Sequence, residues 1–187
     1  MIDINKFSRS GKELKEVKAI VVHWVANPML SAEGVKRYFA NLHHRYASTQ
    51  YIIGLEGEVV QVMPENELAY HVGSDQYTPL SVELFGAENT SSRRSPNPFC
   101  IGIELCHTDW AGNFTKETEA TAVHLVASLC LKYNLDVRKN VLRHFDITGK
   151  RCPRLFVENP AEWFRFKDKV EARMAELKKA TIGIERE

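Results

Sequence analysis

The chain has almost no excess charge: its 187 residues carry 25 lysines and arginines against 24 aspartates and glutamates, a formal net charge of +1. So weak a global field gathers neither nucleic acid nor an anionic membrane, and recognition is left to local features. Long hydrophobic runs are missing as well. No stretch approaches the ~20 apolar residues that span a bilayer, so membrane insertion is not expected. Lys6, Arg9, Lys12, Glu13, Lys15, Glu16 and Lys18 break up the first twenty residues and leave no apolar signal region. A chain made in the cytoplasm without a secretory signal is the expectation. Cysteine is sparse, at 100, 106, 130 and 152, with no Cys-x-x-Cys pair, which argues against a disulfide framework. A His-Glu-x-x-His motif is absent, and with it the common zinc-peptidase pattern. There is no internal repeat and no low-complexity tract.

What is present suits one core. With 44% hydrophobic residues, the length favours a single domain, placed at residues 1–177, with 178–187 as a tail or the start of a linker. Ala19 to Val25 is a β-branched run typical of a buried strand, and it carries His23 near its end. Ser31 is placed to cap a helix with Val35, Tyr38, Phe39 and Leu42 on one face. Tyr51 to Met63 shows two β-rich arms around Gly54–Glu58, a hairpin signal. From Gly73 to Pro98 the chain is polar and weakly periodic beyond a short Leu80–Phe85 run, which predicts a long loop.

Phe99 to Cys106 predicts a second central strand, interrupted by Glu104, a carboxylate in apolar surroundings that needs a reason. Thr115 caps a predicted helix to about Tyr133, with Cys130 on its apolar face. Asn140 to Phe145 is a predicted short strand. Asn159-Pro160 opens a last helix, with Glu162 placed for a capping-box-like arrangement and an apolar stripe of Trp163, Phe166, Val170, Met174 and Leu177.

The densest chemistry lies in His144-Phe-Asp-Ile-Thr-Gly-Lys-Arg-Cys-Pro153. Zinc prefers nitrogen and sulfur ligands, and a catalytic site offers three of them plus an open position. His23, His144 and Cys152 supply such a set, and a turn at Thr148-Gly149 would bring Cys152 back beside His144. Asp146 is expected to shape that turn through its own backbone. Burial would raise the pKa of Glu104 and suit it to carry a proton between water and a leaving amine.

Five ordered segments carry a resemblance: Val21-Val-His-Trp24, Ser48-Thr-Gln-Tyr-Ile-Ile-Gly54, Ala69-Tyr-His-Val-Gly73, Ile101-Gly-Ile-Glu-Leu105 and the stretch from His144 to Pro153. Together they resemble the type 2 N-acetylmuramoyl-L-alanine amidase domain of phage and prophage endolysins and peptidoglycan recognition proteins, over nearly all of residues 15–175. The resemblance implies an α/β fold with a mixed central sheet flanked by helices. It implies a zinc hydrolase that cuts the amide between N-acetylmuramic acid and L-alanine in peptidoglycan, with Zn2+ on His23, His144 and Cys152. Tyr51 and Lys150 match positions that support catalysis in lysin-type members; Lys150 would face the oxyanion of the tetrahedral intermediate. His71 matches a groove-lining position and is expected to contact substrate, and Arg93 and Arg94 could touch stem-peptide carboxylates or a glycan. His43, His44, His107 and His124 match no chemical position.

The third ligand separates the alternatives. Non-hydrolytic recognition modules typically lack the cysteine, and cytoplasmic recycling amidases use aspartate there, so Cys152 points to a lysin that reaches the wall through a separately made pore. A peptidase cutting within the stem peptide is the remaining zinc-hydrolase reading.

Overall fold

The computed structural model describes residues 1–88 and 94–184. Five strands form one sheet: β1 Ala19–Trp24, β2 Tyr51–Ile53, β3 Val59–Gln61, β4 Cys100–Leu105 and β5 Val141–Arg143, in the order β3-β2-β4-β1-β5. β2, β4, β1 and β5 run parallel and only the edge strand β3 is antiparallel, so the sheet is mixed as expected. The central strands read as continuous apolar runs because both of their faces are covered. The β2–β3 connection is the expected hairpin, turned through Gly57 at φ +80°.

One face carries α3 (Lys116–Lys132) and α7 (Pro160–Ile184), packed on Ile20, Val22, Ile53, Ile101 and Ile103. Thr115 caps α3 through the Thr118 N–H, with Glu117 and Glu119 at its positive end. Trp163 and Phe166 of α7 close on Phe156 of α6 (Arg154–Glu158), with ring centroids 5.2 and 5.3 Å apart. Burying each such ring stabilises the fold by about 1.5–3 kcal/mol. α7 continues through Ile184, past the residue 177 boundary expected for the domain. Glu162 pairs with Arg165 on its own helix rather than completing a capping box.

The opposite face is covered in two patches. α1 (Ala32–Ala40), capped by Ser31 as expected, packs Val35 and Phe39 against Ile52 and Met63. α2 (Pro79–Phe85) and α5 (His144–Thr148) pack Phe85 and Ile147 against Val21 and Leu142. The expected loop from 73 to 98 therefore contains a helix, started by Thr78, whose hydroxyl accepts the Ser81 N–H, and by Pro79 at its first position. Arg93 lies outside the described residues; Arg94 is exposed and pairs with Glu88. The predicted strand at 140–145 ends at Arg143, where α5 begins. The remaining helix, α4 (Val137–Asn140), leads into β5. Between the two patches, at the carboxyl ends of β1, β4 and β5, the sheet face stays open.

Candidate metal centre and its cleft

Strand alternation sets which groups meet on that open face. His23 is registered against Glu104 across β1 and β4, and both follow residues, Val22 and Ile103, whose side chains face α3, so alternation turns His23 and Glu104 to the opposite face. His144 follows β5 directly. The return of Cys152 is built by the ten-residue stretch itself: Gly149 terminates α5 at φ +75°, the Cys152 N–H bonds the Lys150 carbonyl at 2.7 Å, and the Phe145 N–H bonds the Cys152 carbonyl at 3.0 Å. Asp146 is structural, though not through the expected turn. Its carboxylate accepts the Arg143 backbone N–H at 2.8 Å and the Arg143 guanidinium at 2.7 Å, fixing the first turn of α5.

His23, His144 and Cys152 thus each present a ligand atom, all within 4.8 Å of one another and all buried. Three observations test whether these groups fit a metal. First, His144 Nδ1 is buried and has no hydrogen-bond partner, which for a polar atom at that depth asks for an explanation. Second, a chain of bonds fixes the His23 tautomer. The Cys100 carbonyl can only accept, so the His71 Nε2–H donates to it (3.4 Å), leaving His71 Nδ1 to accept from the His23 Nε2–H (3.0 Å). His23 Nδ1 then turns its lone pair toward Cys152 Sγ, 3.7 Å away. Third, bond lengths of about 2.0–2.1 Å to nitrogen and 2.3 Å to sulfur put tetrahedral N and S ligands of zinc about 3.6 Å apart. The donor set fits zinc.

The electrostatics agree. Burial holds both imidazoles neutral, the ligand form: His23 well below the ordinary histidine value, with His144 and His71 adding to it, and His144 at about 3, with Lys150 adding to it. Burial pushes the free Cys152 thiol up to about 12, so metal binding there must release a proton. Glu104 is pushed up to about 8 by burial, against the pull of Lys150, and its Oε2 is buried without a partner.

Of the residues singled out from sequence, His23, His71, Glu104, His144, Lys150 and Cys152 line one cleft of about 1450 Å³. That exceeds the few hundred to 1,000 Å³ typical of small-molecule sites and suits an extended substrate. Lys150 stands exposed at its rim. His71 lines the cleft, where it was expected to contact substrate, but it is only 9% exposed and its ring nitrogens contact His23 and the Cys100 carbonyl.

Tyr51 is not brought to the centre. One residue along β2 from Ile52, the partner of Glu104, it points to the α3 side, where its hydroxyl donates to Glu65 at 2.5 Å beside Tyr133 and Lys132. A period-two side-chain alternation decides this.

Residues not anticipated support His71. Asn97 Oδ1 accepts the backbone N–H groups of His71 and Val72 at 3.0 and 2.9 Å. Gly102 lets the ring approach β4, since a Cβ there would sit 2.9 Å from the His71 ring. A glycine inside an apolar strand was the available signal.

Fold and site together define an α/β protein with a His/His/Cys group that could hold a metal at the carboxyl edge of a mixed sheet. Residues 13–155 match the family model Amidase_2, described as N-acetylmuramoyl-L-alanine amidase, and the chain belongs to that family. It is 33% identical over 174 residues to N-acetylmuramoyl-L-alanine amidase BlyA of Bacillus subtilis (strain 168), covering 93% of this chain and 46% of that one, so it spans about half of that relative's length. It is 30% identical over 131 residues to 1,6-anhydro-N-acetylmuramyl-L-alanine amidase AmpD of Escherichia coli (strain K12), covering 70% of this chain and 62% of that one. Among solved structures it resembles a mutant endolysin from Bacillus subtilis, with TM-score 0.66, 26% identity and coverage of 91% and 95%.

Proposed function

We propose that this chain is a zinc-dependent amidase domain that hydrolyses the bond between N-acetylmuramic acid and L-alanine in peptidoglycan. The observation that carries the reading is the convergence of His23, His144 and Cys152, whose ligand atoms lie within 4.8 Å of one another, in one cleft with Glu104 and with His144 Nδ1 buried and unpartnered. Zinc held by these three residues would supply Lewis acidity to the reaction. The protein's own groups do the rest. Glu104, kept near neutral pKa by burial, takes the proton of the attacking water at Oε2 and returns it to the amide nitrogen as the bond breaks. The exposed ammonium of Lys150 meets the negative charge that develops on the carbonyl oxygen. His71 holds His23 in the tautomer that leaves Nδ1 free.

The biological setting we propose is a phage or prophage endolysin that meets the wall after passing through a separately made pore. The similarity to BlyA and to an endolysin structure supports it, as does sulfur as the third ligand. No described helix is long and apolar enough to cross a membrane. The similarity to AmpD supports a second reading, an amidase acting on small anhydro-muropeptides.

Metal analysis of the purified protein, combined with mass spectrometry of the products from whole sacculi, tests these readings. One zinc per chain and release of intact stem peptides with new L-alanine amino termini are expected. Cleavage inside the stem peptide refutes the amidase; activity on anhydro-muropeptides with none on sacculi selects the second reading.

A further inference from the structure

Besides the ligand residues and Glu104, the lining of the cleft includes an arm formed by the N-terminal segment and by α1 with the loop that follows it. Four lysine and arginine residues line the cleft as a whole: Lys6, Lys12, Arg45 and Lys150. No ion pair joins any of them to a carboxylate among the described residues, whereas Arg9, Arg138 and Arg143 elsewhere are each bonded to one. Glu104 is the single carboxylate in the lining, and it is half-buried with its Oε2 enclosed. Arg45 has a tyrosine for company: its guanidinium carbon lies 5.7 Å from the Tyr38 ring centre and it donates to the Tyr38 hydroxyl. Tyr38 and the neighbouring Tyr46 are exposed, and both line the cleft.

Unpaired cations in a concave surface with low-dielectric walls concentrate a positive potential there, whatever the net charge of the chain. A planar guanidinium steadied by an aromatic ring suits a carboxylate, which accepts from its fork bidentately. The arm belongs to the same cleft as the reacting groups, so an extended substrate held by both is covalently continuous across them. Of the two sides of that bond, the N-acetylated sugar is uncharged and the peptide carries carboxylates.

We propose that Lys6, Lys12 and Arg45 form a subsite for an acidic, extended peptide and make the enzyme prefer stem peptides with free carboxylates over amidated ones. This rests on the amidase reading. Lys150 belongs to the reacting end, so these three residues are the ones to vary.

The test uses two muropeptides of identical sequence, with side carboxylates free in one and amidated in the other, hydrolysed by the wild type and by the variant Lys6→Gln/Lys12→Gln/Arg45→Gln. Exposed charge pairs each change affinity by about twofold to fivefold. The wild type is expected to prefer the free-carboxylate substrate by about tenfold in kcat/KM. The triple variant loses that preference through KM, with kcat and zinc content unchanged. Equal kcat/KM on the two substrates, or a variant that keeps the preference, overturns the proposal. If neither substrate is cut, the amidase reading fails, and equilibrium binding of the same two muropeptides to zinc-loaded Glu104→Gln protein decides the subsite separately. Tighter binding of the free-carboxylate form supports it and equal binding overturns it. Competition by a poly(glycerol phosphate) of matched charge, as strong as by the acidic muropeptide, also overturns it and assigns the arm to a phosphate polymer.

Discussion

Replacing His71 with alanine separates a ligand-orienting histidine from one that merely fills space. In the wild type the imidazole accepts the His23 Nε2–H at 3.0 Å and passes the chain on to the Cys100 carbonyl at 3.4 Å. Without it, His23 Nε2–H is left at 2% residue exposure with no acceptor, and the ring is free to turn or to carry its proton on Nδ1, the atom facing Cys152. Loss of an outer-shell partner typically costs 10- to 100-fold in metal affinity, which is about 1.4–2.7 kcal/mol. The stranded donor adds about 1–3 kcal/mol to the apo protein's loss of stability.

The assay is zinc Kd by chelator competition at pH 7, alongside Tm of the apo and zinc-loaded proteins. His71→Ala should weaken zinc at least tenfold, and the Tm gain on loading should shrink with it, because stabilisation by a bound metal follows its affinity. His71→Gln, whose amide oxygen can accept the same N–H, should recover part of the affinity. Gly102→Ala should act in the same direction as His71→Ala, by pressing a Cβ onto the ring from β4. A cobalt-substituted His71→Ala protein with the wild-type spectrum and wild-type zinc Kd, combined with a lowered apo Tm, would refute the orienting role and leave His71 as packing.

Glu104→Gln should keep its zinc and lose about 10²- to 10⁴-fold in kcat, the usual size of a general acid–base contribution; near-wild-type turnover removes Glu104 from the proton path. Tyr51→Phe deletes the donor to Glu65, an anion that also receives Tyr133 and Lys132, so it should lower stability by about 1.5–3 kcal/mol, with turnover unchanged. A collapse in kcat at full zinc content and wild-type fold would return Tyr51 to the chemistry. Glu67 is held below the usual carboxylate range by its paired hydrogen bonds from Arg9, against the opposing effect of burial. Its contribution is therefore present above the unfolded value of about 4.3 and lost as pH falls through the lower folded value. The Tm difference between wild type and Arg9→Gln should be full at pH 6 and close toward pH 3; a gap independent of pH contradicts the assignment.

What the sequence made legible was the part written in adjacent residues. The stretch from His144 to Cys152 holds two ligands, the glycine that turns the chain and the carboxylate that pins the first turn of α5, and the structure uses each locally. The parallel strands were legible for the same reason, since burial on both faces leaves an uninterrupted apolar run. α2 was not, because seven residues hold too few turns for a helical period to stand out and its identity rests on the Thr78 cap and Pro79. Tyr51 misled because matching a motif fixes a position along a strand only approximately, and an error of one or two residues there decides which face, or which end, a side chain reaches. The support of His71 was invisible: Asn97 is 26 residues away along the chain and Gly102 is 31, and only the packed sheet brings them to the ring.

The same distinction applies to charge. A total of +1 correctly says that nothing draws a polyanion to the molecule from afar, since exposed charges of both signs average out beyond a Debye length of about 8 Å. It says nothing about a concave wall narrower than a few such lengths. Within the cleft, Lys6, Lys12, Arg45 and Lys150 face a lining whose single carboxylate is half-buried, and the ion pairs that balance the total lie on other surfaces. The balanced composition and the positive cleft are therefore consistent: neutralisation elsewhere leaves these four cations free to meet an anion supplied by a ligand.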